Sequence, residues 1–434
     1  MSTRPEDRPR ETTLMNVLVL DGDQRAALAV TRSLGRRALS VIVGEQHERP
    51  LAASSRYCAR RITYPSPYRE PDAFDRFIER LVVRERIDVL MPVTDVTTYA
   101  IARNQDALRA HTALAVPPFD AFERVTDKGA LLRRADKCGI AIPATHFVDG
   151  IATLRTVQDR IAFPAVVKAT RSRIPTPDGW LGCGVHYVST RGELQKLYQG
   201  TSYLASYPSL VQERIVGRGI GVFVLCERGR VLTTFQHARL RERPPSGGVS
   251  VLAESRPVDP ELREQARRLL EPLGWHGVAM LEYKQDRQTG TPVLMEVNGR
   301  FWGSLQLAID AGVDFPFLSC QLALGGRPAL PDTYAVGRRT RWWLGDVEHL
   351  LLRVSGRDRI AADGETSILR AALEFIRASA PGVRNELVRR DDLAPAWHEL
   401  WHYGRSLAGT VARRTRRPMT KVAVDTHVRV ERGR

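Results

Sequence analysis

Lysine is scarce in this 434-residue chain: six lysines stand against 59 arginines. Surface lysines convert to arginine at little cost under a GC-rich coding bias. A lysine retained in that background marks a place where a compact ammonium is wanted. The six are Lys128, Lys137, Lys168, Lys196, Lys284 and Lys421. Cysteine is equally thin. Cys58, Cys138, Cys183, Cys226 and Cys320 are scattered and form no CxxC pair. That excludes a disulfide scaffold and a zinc ribbon, predicts free thiols, and points to a reducing, cytoplasmic setting. No apolar run approaches the roughly 18 residues of a membrane-spanning helix. Residues 1–14 are charged and lack an apolar segment, so they read as a disordered leader rather than a secretory signal. The first turn after the first apolar run is Asp21-Gly22-Asp23-Gln24-Arg25-Ala26, with no GxGxxG, which argues against a bound dinucleotide.

What is present is ordinary globular material. Hydrophobic residues make up 43% and charged residues 26%. This length accommodates two to four domains, each of about 100–200 residues. Asn16–Leu20 is a continuous apolar run of the kind a buried parallel strand requires. Strands are expected at 40–43, 88–92 and 113–116, with helices at 27–35, 73–83 and 96–104 between them. This alternation predicts a doubly wound parallel-sheet domain over 15–118, closed by Pro117-Pro118. Beyond it, a helix is expected over 126–138, a strand over 163–169, a loop over 171–184, and strands over 210–213, 220–226 and 230–236. A second loop is expected over 241–248, then a helix over 261–273 and two strands over 278–283 and 292–297. Residues 331–404 read as packed helices around Trp342, Trp343, Leu344, Leu350 and Leu351. Residues 405–434 are a basic tail, with nine basic residues against Asp425 and Glu431.

The strongest chemical signal is Glu282 followed by Glu296, Asn298 and Arg300. Alternate residues on a strand share a face, so 296, 298 and 300 are expected to point together, with Glu282 meeting them across a hairpin. Two carboxylates and an amide oxygen suit a hard cation such as Mg²⁺, and a guanidinium suits phosphate. Lys128, opening a helix, and Lys168, ending an apolar strand, are candidates to reach the same phosphates. The run Gln212-Glu213-Arg214-Ile215-Val216-Gly217 carries a strand into a glycine-ended hinge whose backbone groups suit an adenine edge. His237 is read as a phosphate contact or a surface imidazole. Trp302 is read as core or, by its parity with Arg300, as a substrate wall.

These motifs, in this order, resemble the ATP-grasp superfamily: TDK at 126–128, PAVVKA at 164–169, VQERIVG at 211–217, HARLRERPPSGG at 237–248, LEYK at 281–284 and MEVNGRFWGS at 295–304. The resemblance implies a two-lobed ATP-grasp domain over 119–330, with a lid subdomain at about 147–212, between the N-terminal α/β domain and the helical extension. It implies ATP and Mg²⁺ as cofactors, with Mn²⁺ an alternative. Lys128, Lys168, Gln212, Glu213, Arg214, Ile215 and Val216 become nucleotide contacts. Glu282, Glu296 and Asn298 become metal ligands, and Arg300 and Arg239 become the groups that steady the transferred phosphoryl. One departure stands out: no acid lies between Glu213 and Glu227 to hold the ribose hydroxyls.

The reaction implied is ADP-forming ligation of a small carboxylate to an amine, or to a thiol, through an acyl phosphate. A bicarbonate-using, carboxyphosphate-type enzyme, like biotin carboxylase or the carbamoyl phosphate synthase large subunit, is the near alternative. A nucleotide- or polyanion-binding protein without ligase activity is the distant one, favoured only by the net charge of +16. No helix-turn-helix and no strand platform with interleaved aromatic and basic residues is visible, so nucleic acid is not an expected partner. The tail is suited to weak contact with an anionic surface, and a homodimer is compatible with the resemblance.

Overall fold

A computed structural model of the protein describes residues 15–355, 368–378 and 382–415. The leader at 1–14 and the tail beyond 415 lie outside the described residues. The N-terminal unit is a four-stranded parallel sheet in the order Arg60–Thr63, Ser40–Glu45, Asn16–Val19, Val89–Met91. Both faces of the central strand are covered. Val17 and Val19 pack with the helix Arg25–Gly35, while Leu18 and Leu20 pack with the helix Pro71–Arg84. Burial on both sides is why the strand reads as an unbroken apolar run.

Asp21, two residues past that strand, is in the left-handed region, at φ 60°. Its carboxylate accepts hydrogen bonds from the backbone of Val93 (3.0 Å) and Thr94 (2.8 Å) and from the hydroxyl of Thr97 (2.5 Å). It thereby fastens the first strand to the start of the helix Asp95–Arg103, whose N-cap is Thr94. A dinucleotide fingerprint leaves room for phosphate at this turn; here the turn closes on a carboxylate.

The strand expected at 113–116 is reduced to one bridge, Val89 with Ala113. Pro117 and Pro118 have no N–H to continue a ladder. The chain leaves the sheet instead to cross Gly277, where a Cβ would lie 2.2 Å from the carbonyl oxygen of Ala115.

The two lobes expected next are both present. The smaller is an antiparallel sheet in the order Thr145–Val148, Ser209–Glu213, Ala165–Ala169, Val185–Val188. The larger begins at Gly217, and the three residues 214–216 connect it to the end of the smaller lobe's strand at Glu213. Its sheet runs Pro292–Asn298, Gly277–Asp286, Gly217–Glu227, Arg230–Arg243, Val249–Arg256, Arg339–Arg341, Val383–Asn385. The last two strands come from the extension expected to be helical, and they pair parallel to one another. The helices Trp343–Val354, Ile368–Arg377 and Ala394–Thr415 make up the rest. The last of these carries the backbone through 405–415, the start of the expected tail.

Two expected loops are partly strand. Residues 171–184 contain the hairpin Arg173–Thr176 with Gly179–Gly182, and 241–243 extend the strand Arg230–Arg243. Trp343 and Leu351 are exposed rather than packed. No helix among the described residues is long and apolar enough to cross a membrane.

The larger sheet also shows where its core ends. On one face Val278, Met280, Phe223 and Phe235 join a cluster with Trp302 and Phe315. One step along the same alternation, those positions become Glu282, Gly221 and His237. The run of large apolar side chains stops there.

Candidate functional site

Glu282 lies directly opposite Glu296 in the antiparallel ladder, and Met280 lies opposite Asn298. Register alone therefore places two carboxylates side by side, where like charges repel unless something cationic joins them. Asn298 donates from Nδ2 to Glu296 Oε1 (3.1 Å) and accepts at Oδ1 from Arg300 Nη2 (3.1 Å). The strand stops at Asn298, so Arg300 does not share its face by strand alternation as the sequence suggested. It reaches back from beyond the strand end and is held by Asp95, whose Oδ2 accepts from Arg300 Nε at 3.0 Å.

Both lysines face this cluster. Lys168 sits on Ala165–Ala169, one of the two inner strands of the smaller lobe, paired with Leu210 on one side and Val185 on the other. Lys128 opens the helix Lys128–Lys137 behind the N-cap Asp127. A cation in a first helical turn opposes the helix dipole, so its neighbours must supply the compensation. Lys128 Nζ donates to Ser172 Oγ (2.7 Å) and lies 3.4 Å from Glu296 Oε2. Burial would lift the Glu296 carboxyl, but Lys128 and Lys168 outweigh it and hold it down at about 2. Burial, reinforced by Lys128, draws the Lys168 ammonium down to about 8.

On the other side of Glu282, Arg239 donates to both carboxylate oxygens, at 2.8 and 2.5 Å, and also to Glu242 (2.9 Å). Burial raises the Glu282 carboxyl above its usual value while this fork opposes the shift. Arg239 thus occupies itself with acids, and a metal at Glu282 would share the carboxylate with it. Gly219 lies beneath: a Cβ there would come within 2.8 Å of Arg239 Cδ. His237 is neither a surface imidazole nor set against solvent. It is buried, packs edge-on to Phe223 at 4.7 Å, and neither ring nitrogen has a hydrogen-bond partner among the described residues. Burial, with Arg239 nearby, holds it well below its usual range and so neutral. Trp302 lies 4.2 Å from Phe223 and 5.1 Å from Phe315, which makes it core and not a substrate wall.

At the hinge, Glu213 is spent on local structure. Its carboxylate accepts from Ala144 N (2.9 Å), and Gln212 Nε2 donates to Thr145 Oγ1 (2.8 Å). The Val216 carbonyl accepts from Arg287 N (2.9 Å) and the Ile215 carbonyl from Lys284 Nζ (3.4 Å). Those two carbonyls are engaged, whereas the Val216 side chain is exposed.

The structure therefore brings Lys128, Lys168, Arg239, Glu282, Glu296, Asn298 and Arg300 to one place between the lobes, with residues 212–216 along the connection. Sequence reasoning missed Asp95 and Ser172. Asp95 lies 205 positions from Arg300, and no local pattern announces such a pair. The donor set fits a hard divalent cation: two adjacent carboxylates and an amide oxygen, already ringed by cations that favour the ionised state.

A family model described as "ATP-grasp in the biosynthetic pathway with Ter operon" matches residues 206–342. No match is found among curated proteins. Several solved structures share the fold. Biotin carboxylase from Campylobacter jejuni superposes with a TM-score of 0.60 at 16% identity, over 74% of this chain and 74% of that one. Carboxyaminoimidazole ribonucleotide synthase from Aspergillus clavatus, complexed with ATP, gives 0.57 at 16% identity over 75% and 80%. L-amino acid ligase from Bacillus licheniformis gives 0.54 at 19% identity over 71% and 74%.

Proposed function

We propose, from a chain that has the ATP-grasp fold, that this protein is an ADP-forming ligase joining a small carboxylic acid to an amine. The observation that carries the reading is the Glu282–Glu296 pair meeting Lys128 and Lys168 across the gap between the lobes. The L-amino acid ligase among the similar folds supports a carbon–nitrogen bond as the product.

Glu282, Glu296 and Asn298 would hold Mg²⁺, which when bound offsets phosphate charge. The rest falls to this chain's own side chains. Residues 213–216 and the exposed Val216 side chain would receive the adenine. Lys128 and Lys168 would neutralise phosphate oxygens, and Arg300, oriented by Asp95, would face the transferred phosphoryl. A carboxylate oxygen of the acid bonds to the γ-phosphorus as the bond to the bridging oxygen breaks, and ADP leaves with the electron pair. The amine then attacks the acyl carbon, loses a proton and expels phosphate, leaving an amide. The hairpin over 173–182 would exclude water, which otherwise hydrolyses the acyl phosphate.

Incubating the protein with MgATP, pools of amines and pools of carboxylic acids should give ADP and phosphate only when an acid is present. Bicarbonate alone driving ADP release would move the reading to carboxyphosphate chemistry. ADP release indifferent to every acid, with no new amide by mass spectrometry, would reject ligation.

The Lys168 ammonium supplies a pH dependence. It is protonated below about 8 and neutral above, so ATP affinity should fall as pH rises through that value. Titration calorimetry at pH 6.5, 7.5 and 9 should show the decline, and Lys168→Met should flatten it. An affinity that rises with pH would contradict the contact.

A further inference from the structure

On the N-terminal side of Glu296 and Asn298 lies an open cleft. Residues 212–216 do not line it, so it is separate from the hinge. Its walls carry rings and charges. Tyr99, Phe122 and Trp180 form an aromatic side; Lys128, Arg171 and Arg173 form a cationic one, with the acids Asp95 and Glu296 also in the lining.

The aromatic side is built from distant parts of the chain. Trp180 lies on the hairpin strand Gly179–Gly182, and its ring meets Tyr99, on the helix Asp95–Arg103, at 4.9 Å and 90°. Tyr99 in turn meets Phe119 edge-on at 5.0 Å. The hairpin is docked by Trp180 N donating to the Tyr68 carbonyl (3.1 Å). Gly179, at φ +118°, permits that approach: a Cβ would lie 2.2 Å from the same oxygen. Trp180 and Tyr99 remain only partly buried, so their ring surfaces still border the cleft.

On the cationic side Lys128 is offset by Glu296 at 3.4 Å, and Arg171 by Glu123 and Asp127 at 3.4 and 3.7 Å. Arg173 lies over the Tyr68 ring at 5.4 Å and forms no ion pair among the described residues. An anion entering here finds attraction at one end and flat apolar surface at the other, and the cationic end adjoins Glu296 and Asn298. This mix of an apolar wall with a few polar groups is that of a small-molecule site.

Resting on the ligase reading, we infer that the acid taken by this protein carries an aromatic ring. The ring lies against Tyr99 and Trp180, where edge and face contacts reward a flat π-system over a flexible alkyl chain. The carboxylate points past Lys128 toward the Glu296–Asn298 end, and Arg171 and Arg173 draw the anion in.

The test uses the full chain with MgATP and one amine mixture. Benzoate, phenylacetate and phenylalanine are compared with acetate, propionate and alanine by phosphate release. The aromatic set should show kcat/KM at least about tenfold higher. Trp180→Ala and Tyr99→Ala should raise KM for the aromatic acid by about tenfold with KM for ATP unchanged, and Trp180→Phe should recover most of the loss. Equal or faster turnover of the aliphatic set, or alanine variants with unaltered KM for the aromatic acid, overturns the aromatic assignment and leaves ligation standing. ATP bound in calorimetry, but no phosphate released with any acid, overturns the ligase reading and the inference with it.

Discussion

Replacing Glu296 with alanine should reduce ADP release on the order of 1000-fold, while the circular dichroism spectrum and melting temperature stay close to those of the parent. The reason is the company this carboxylate keeps. Lys128 and Lys168 both hold it ionised, and Asn298 donates to it, so its removal strips the cluster of its least encumbered anion. Glu282 alone is a poorer ligand, because it shares both of its oxygens with the Arg239 fork. The two lysines would then face each other without the acid between them, and a divalent cation would have lost a ligand. Glu296→Gln keeps the shape and removes the charge, so it should lose nearly as much; Mg²⁺ titration of residual activity should show a higher requirement. Full activity in either variant would reject the metal assignment.

The second large effect is on stability. Asp392→Ala should destabilise the protein by about 3–5 kcal/mol, with a fall in melting temperature on the order of 10 °C. Arg32 and Asp392 are both almost wholly buried. Arg32 Nε donates to Asp392 Oδ2 at 2.8 Å, and its other nitrogens donate to the carbonyls of Glu386, Leu387 and Asp392. Ser55 Oγ and Arg56 N donate to the same carboxylate at 2.6 and 3.0 Å. Losing the acid leaves a guanidinium in the interior with its charge uncompensated, and removing one partner of a buried pair costs far more than the pair contributes. The double variant Arg32→Met/Asp392→Leu should therefore be more stable than Asp392→Ala alone. Thermal melts of the three proteins decide it. Because this network ties the C-terminal segment to the first helix of the N-terminal unit, Asp392→Ala should also loosen Arg25 from Glu386 and Trp342.

Much of the scaffold was readable from local pattern. The apolar run at 16–20 became the strand Asn16–Val19, covered on both faces. The stretches read as strands at 278–283 and 292–297 became the hairpin of Gly277–Asp286 with Pro292–Asn298, whose register puts Glu282 against Glu296. Strand period and turn residues act over a few positions, and a single chain displays them directly. The boundaries that failed did so where tertiary contact outweighed local preference. Residues 113–116 left their sheet to pass over Gly277, and residues 173–182 became a hairpin braced on Tyr68. Strands at 339–341 and 383–385 exist because the large sheet offered them an edge, which no periodicity in a three-residue segment reveals.

Residue types and their order along the chain were enough to nominate Lys128, Lys168, Glu282, Glu296, Asn298 and Arg300, because scarce lysines and alternating oxygen donors are visible in one dimension. Which partner each would keep was settled only by folding. Arg239 is committed to Glu282 and Glu242, Arg300 leans on Asp95, His237 is sealed against Phe223, and Trp180 meets Tyr99. Charge and ring interactions fade within a few ångströms, and residues dozens to hundreds of positions apart acquire such separations only when the sheets and helices pack.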